Sequence, residues 1–111
     1  MKTQAYIDGG WRGSTRQFAV RDPYDGALVA EVTDCDDAMI DDAVHAAARA
    51  FPAWRATPSP TRGDFLAAMA AAMRADEREL AALCSRENGK PTAEAIAEVR
   101  YAASFLHWFA G

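Results

Sequence analysis

Residues 92–109 read as one helix whose later turns are apolar on nearly every side, through Val99, Tyr101, Phe105, Leu106, Trp108 and Phe109. A helix with one apolar stripe can lie on a surface, but one apolar all round needs cover all round. The chain has 111 residues, room for one small domain and not two. Alanine fills 26 of those positions, so the remaining helices have little bulk to offer. Alanine favours helix and buries little area, and the core is therefore expected to lean on Phe, Trp, Leu, Met and Ile. Phe105, Trp108 and Phe109 cannot all be covered by such neighbours, which points to a chain that is incomplete or paired.

The residues before this helix predict an α+β arrangement, a β-hairpin or three-stranded meander followed by about four helices. Residues 1–32 form the β region and residues 33–111 the helical region of a single partial domain, 1–111. Ala5 to Trp11 reads as a short strand entering a turn, with Gly9 and Gly10 supplying positive φ. Phe18–Arg21 is a second strand, stopped by Asp22-Pro23-Tyr24-Asp25-Gly26, and Leu28–Val32 is a third. Asp36 is a good N-cap, with Asp37 in the first turn where the helix dipole favours anions. Ile40, Ala43, Val44, Ala47 and Phe51 then make one apolar stripe, and Pro52 is expected to end the helix or to lie just past its end. Ser59 reads as the N-cap of a second helix with Pro60 at its first position, and Phe65, Leu66, Met69, Ala70 and Met73 as its stripe. Asp76-Glu77-Arg78-Glu79 has the spacing of a capping box and restarts a third helix, which Asn88-Gly89 stops.

Charge and composition exclude several classes of function. The net charge is −4 with no basic block, so nucleic acid and anionic membrane are not expected partners. No apolar run approaches the ~20 residues of a bilayer span, and the start, MKTQAYIDGG, lacks an apolar stretch of signal-peptide length. Cys35 and Cys84 share no close spacing and read as reduced thiols in a cytoplasmic protein.

Little in the sequence resembles a catalytic site. It carries neither a Gly-x-Gly-x-x-Gly loop nor a Walker-type lysine loop. His45 and His107 have no flanking metal ligands and read as structural. Cys84 falls near the C-terminal end of a helix, where the dipole disfavours a thiolate. Cys35 lies among Asp34, Asp36 and Asp37, which disfavour its ionised form too. The six carboxylates from Glu31 to Asp42 lack the alternation and glycine of a calcium loop and read as caps and a solvated face.

Five stretches together resemble one family. Tyr6-Ile7-Asp8-Gly9-Gly10-Trp11 resembles the opening strand of NAD(P)-dependent aldehyde dehydrogenases, and Val20-Arg21-Asp22-Pro23-Tyr24-Asp25-Gly26 their following turn. Ala46 to Trp54 resembles their "A-A-x-A-F-x-x-W" helix. Glu87-Asn88-Gly89-Lys90-Pro91 is similar to their "E-N-G-K-P" turn, and Glu98–Ala110 to the helix that follows, most closely in the succinate-semialdehyde dehydrogenase branch. The resemblance covers nearly the whole chain but only about the first quarter of a full enzyme.

The resemblance implies the N-terminal part of an α/β cofactor-binding domain, truncated in the gene, the record or the expressed piece. The parent reaction is oxidation of an aldehyde to an acid with NAD or NADP, while the nucleophilic cysteine, glutamate base and cofactor loop lie downstream in the family. No catalytic or cofactor-binding residue is therefore expected here, and the chain alone is expected to be inactive and to bind no cofactor. Two lesser roles carry over by position. Val20, Arg21 and Glu87 match ligands of a structural monovalent cation, and Ala97 and Tyr101 match positions bordering the substrate tunnel. The alternative is a stand-alone, non-catalytic helical module that pairs with itself or with a full-length relative.

Overall fold

The computed structural model describes residues 2–111, which divide into two units. The first comprises residues up to Arg21 together with Ala27–Ala56. Strands β1 (Ala5–Ile7) and β2 (Gly10–Arg12) pair antiparallel, with Tyr6 opposite Trp11. The stretch expected to be one strand entering a turn is therefore a complete hairpin. Its two-residue loop takes positive φ at Asp8 (51°) and Gly9 (79°), as a type I′ turn requires, and not at Gly10. The Tyr6 and Trp11 rings lie 5.1 Å apart, and the Lys2 ammonium sits 5.6 Å from the Trp11 ring centre.

Strands β3 (Gln17–Arg21) and β4 (Leu28–Thr33) form a second hairpin, and its ladder slips between Val20 and Arg21. The four strands thus make two separate two-stranded sheets, so the meander does not form. Helix α1 (Asp37–Ala56) starts as expected, with the Met39 amide donating to the Asp36 carboxylate at 2.9 Å. It does not stop at Pro52, which lies inside the helix. An internal proline removes one amide donor, and Ala53-Trp54-Arg55-Ala56 are able to continue; the break waits for Thr57, which precedes Pro58. The side of α1 that is covered carries Met39 and Ala46, whereas Ile40, Val44 and Phe51 of the apolar stripe are exposed. Arg12 pairs with Asp42 at 2.9 Å and Arg49 with Asp8 at 3.0 Å, joining the first hairpin to α1 across exposed ion pairs.

The second unit comprises Asp22–Gly26 and Thr57–Gly111. Its helices are α2 (Ser59–Ala75), α3 (Glu77–Asn88) and α4 (Thr92–Phe109), the last with the bounds the sequence suggests. Pro58, not Ser59, occupies the N-cap of α2, so Ser59 and Pro60 are already helical. Asp76 caps both neighbours at once: its amide closes the end of α2 and its carbonyl accepts from Leu80. Its side chain makes no capping bond, so the capping box does not form although the helix restarts there. Gly89 ends α3 in the left-handed region, φ 79°, with its amide on the Ser85 carbonyl. A Cβ on Gly89 would fall 2.9 Å from Pro23 Cγ, so the Asp22–Gly26 turn sits directly against this corner.

The core is built differently from expectation. Among the described residues the buried apolar set is Ile7, Met39, Ala46, Ala70, Ala81, Ala95, Val99 and Ala103, with no Phe, Trp or Leu. Small residues let α4 approach α2 and α3 closely, and Ala81, Ala95 and Val99 pack with Cys84 and Ile96 between α3 and α4. The aromatic residues are left on the outside.

Candidate functional site

Helix α4 presents two contrasting sides. Ala95, Val99 and Ala103 recur every four residues and are buried against α2 and α3. Tyr101, Phe105, Trp108 and Phe109 stand outward, between 48 and 79 % exposed. With Ser104 they line an open groove of about 450 Å³. The Tyr101 and Phe105 rings meet edge to face at 4.7 Å, which fixes the upper wall of this groove. Ala97 and Tyr101 lie one turn apart and both are exposed, so they share a side of the helix.

A cluster that the sequence reading missed gathers at the α3–α4 corner. Lys90 donates to the Glu98 carboxylate, and the Cys84 thiol lies 3.8 Å from the same oxygen. The hydrogen bond from Lys90 holds the Glu98 carboxyl below its ordinary range, and the same bond raises Lys90. The sequence signal was present in the sharp turn at Gly89–Pro91, which returns the second turn of α4 to the last turn of α3. Nearby, Arg100 grips Glu77 through two bonds of 2.7 and 2.8 Å, and this bidentate contact lowers the Glu77 carboxyl.

Val20 is half-buried in β3 beside the slipped register and Arg21 ends that strand, both in the first unit; Glu87 is exposed on α3 in the second. His45 and His107 are exposed, and Cys35 and Cys84 are half-buried free thiols. No group of three or more His, Cys, Asp or Glu side chains among the described residues is arranged to hold a metal. No helix among them is long and apolar enough to cross a membrane.

The helix starts bear on phosphate binding. Acidic side chains occupy the first turns of α1 (Asp37), α3 (Glu77, Glu79) and α4 (Glu94), and α2 opens on Pro58 and Pro60. Negative charge in the first turns of α1, α3 and α4 opposes a pyrophosphate there.

Comparison with known proteins places this geometry. A family model described as Aldehyde dehydrogenase family matches residues 11–111. A glutarate-semialdehyde dehydrogenase of Pseudomonas aeruginosa is 38 % identical over 110 residues, covering 97 % of this chain and 23 % of that protein. The mitochondrial succinate-semialdehyde dehydrogenase of Homo sapiens is 35 % identical over 109 residues, 98 % of this chain and 20 % of its own length. Among solved structures, an E. coli NADP-dependent enzyme superposes with a TM-score of 0.95 at 37 % identity, over 98 % of this chain and 23 % of that one. A Staphylococcus aureus betaine aldehyde dehydrogenase in complex with NAD+ gives 0.94 at 27 % identity, over 99 % and 23 %. The chain spans about a fifth to a quarter of these relatives, matching their N-terminal part.

Proposed function

The chain belongs to the aldehyde dehydrogenase family, and we propose that it forms the N-terminal part of an NAD(P)-dependent member acting on an aldehyde that also bears a carboxylate. The observation that carries this reading is its near-complete coverage, at 35 to 39 % identity, by glutarate-, succinate- and aspartate-semialdehyde dehydrogenases. In the parent reaction the nicotinamide takes the hydride as the aldehyde becomes an acid. This chain contributes a wall and a scaffold to that reaction. The outward side of α4 at Ala97 and Tyr101 borders the aldehyde, and the acidic helix starts leave the pyrophosphate to residues elsewhere in the protein.

Cys84 does not act as the nucleophile on this reading. Its thiol is half-buried near the C-terminal end of α3, 3.8 Å from the Glu98 carboxylate. The thiol is engaged there as a hydrogen-bond donor to that carboxylate. The test incubates the purified chain with succinic or glutaric semialdehyde and NAD or NADP, following the absorbance of reduced nicotinamide. No turnover is expected. Turnover that disappears in Cys84→Ala overturns the reading.

A further inference from the structure

We propose that Cys84 and Lys90 form a peroxide-driven modification site, in which oxidation joins the Cys84 sulfur to the Lys90 amine as a sulfenamide that thiols reverse. The inference concerns the α3–α4 corner alone and goes beyond the family reading.

Three observations carry it. The first is a shared oxygen. The Cys84 thiol donates to one carboxylate oxygen of Glu98 at 3.8 Å, and the Lys90 ammonium donates to that same oxygen. Adding an ordinary hydrogen-bond length of about 2.8 Å to that 3.8 Å puts the nitrogen within ~6.6 Å of the sulfur. Rotation about the bonds of the flexible lysine stem closes that gap. The second is the mounting. Cys84 packs on the buried Ala81, Ala95 and Val99, and Gly89, in the left-handed region, turns the chain so that Lys90 meets α4. The Lys90 side chain is 26 % exposed, against 43 to 70 % for the ion-paired Arg12, Arg16, Arg49 and Arg100. The third is access. Cys84 lines an open groove of about 390 Å³ with Leu80, Leu83, Glu87 and Asn88, ample for a molecule as small as hydrogen peroxide.

The cluster supplies each proton the reaction moves. As sulfur attacks one oxygen of hydrogen peroxide, the O–O bond breaks. Glu98 takes the thiol proton, and the leaving hydroxide takes a proton from the Lys90 ammonium. One water departs, and Cys84 is a sulfenic acid beside a neutral amine. A helix C-terminus disfavours a standing thiolate, and transfer to Glu98 during the attack removes the need for one. The amine then attacks sulfur, so that the S–N bond forms and the S–OH bond breaks. This hydroxide takes the proton held by Glu98 and leaves as a second water, while the nitrogen gives one proton to solvent. Sulfur loses two electrons and the peroxide gains them. Two thiols reverse the link, restoring the Cys84 thiol and the Lys90 amine and forming a disulfide between themselves.

The test treats the chain carrying Cys35→Ser, in which Cys84 is the one thiol left, with hydrogen peroxide in the absence of added thiol. Trypsin and mass spectrometry follow. Cleavage after Arg86 separates Cys84, in residues 79–86, from Lys90, in residues 87–100. The expected product joins these two peptides at about 2 Da below their summed mass, and dithiothreitol parts them. Lys90→Arg should give no joined peptides and leave Cys84 as sulfenic or sulfinic acid. Glu98→Gln should lower the joined yield by roughly tenfold or more, with the helical circular dichroism signal retained. Unfolding in guanidinium before the peroxide is added should lower it as far, a comparison that needs no further substitution. Equal yields from the folded and unfolded chain overturn the proposal. So does a link from Cys84 to Lys2, a Cys84 that stays a thiol, or one that reaches sulfinic acid equally fast with and without Lys90→Arg.

Discussion

Gly63 sets two effects of opposite sign against each other. It is buried in the first turns of α2, and a Cβ built on it would lie 2.2 Å from the Ala110 carbonyl oxygen and 3.2 Å from the carbonyl carbon. Alanine in place of glycine inside a helix is ordinarily favourable by about 0.8–1 kcal/mol. Here the contact is well inside the ~3.3 Å at which carbon and carbonyl oxygen normally meet, so backbone must move by about 1 Å. Overpacking of that kind costs about 1–3 kcal/mol. The steric effect wins, and Gly63→Ala should destabilise the helical unit by about 1 kcal/mol, a fall in Tm of roughly 4–8 °C for a unit of this size. Thermal melting followed by far-ultraviolet circular dichroism reads this directly. Removing Ala110 and Gly111 takes away the obstructing carbonyl, and in that background the same substitution should raise Tm. A rise in Tm with the intact C-terminus would refute the reasoning, because it would mean that the end of α4 is not held against α2.

Other expectations follow from individual contacts. Glu77 and Glu98 have lowered folded-state values, through Arg100 and Lys90 respectively; their contribution is full above the unfolded carboxylate value of about 4.3 and fades as pH falls through the folded values. Glu77→Gln should therefore flatten the acid limb of a stability-against-pH curve below about pH 4, and an unchanged limb would count against the Arg100 pairing. Asp36→Ala removes the acceptor of the Met39 amide and should cost about 1 kcal/mol in denaturant titrations. Gly89→Ala forces a Cβ both into the left-handed region and against Pro23, and a loss of about 1 kcal/mol or more is expected by the same measurement. Trp108→Ser with Phe109→Lys removes two of the most exposed apolar side chains and should clearly improve solubility in a centrifugation assay.

Local signals were the most legible part of the fold. Gly89 had to end a helix and Asp36 had to begin one; Gly89 does so through its backbone amide and Asp36 through its side-chain carboxylate. Pro52 misled because one lost hydrogen bond is a weak stop when strong helix formers follow it. The Asp8-Gly9 turn was misplaced by one residue because aspartate tolerates positive φ and the following Gly10 was free to be a strand residue. Core membership was the least legible. An apolar stripe such as Ile40, Val44 and Phe51 marks a face that needs cover, but periodicity cannot say whether the cover lies in the same chain. Of the candidate site, the outward aromatics of α4 were foreseen from their crowding around the helix. The meeting of Cys84, Lys90 and Glu98 was not, because it depends on how tightly Gly89–Pro91 folds α4 back.

The seating of Pro23 beside Gly89 imposes an order on synthesis. The turn at Asp22–Gly26 leaves the ribosome well before any helix of the unit to which it belongs, and its counterpart at Gly89 lies 66 positions later (23 to 89). At translation speeds of about 5–20 residues per second, the turn waits roughly 3–13 s for its corner. Two bonds on Asp22 are local to the loop and available within that interval, from the Tyr24 amide to its side chain and from the Gly26 amide to its carbonyl. A turn whose bonds are local in this way can be made early and used late, when Gly89 arrives against Pro23.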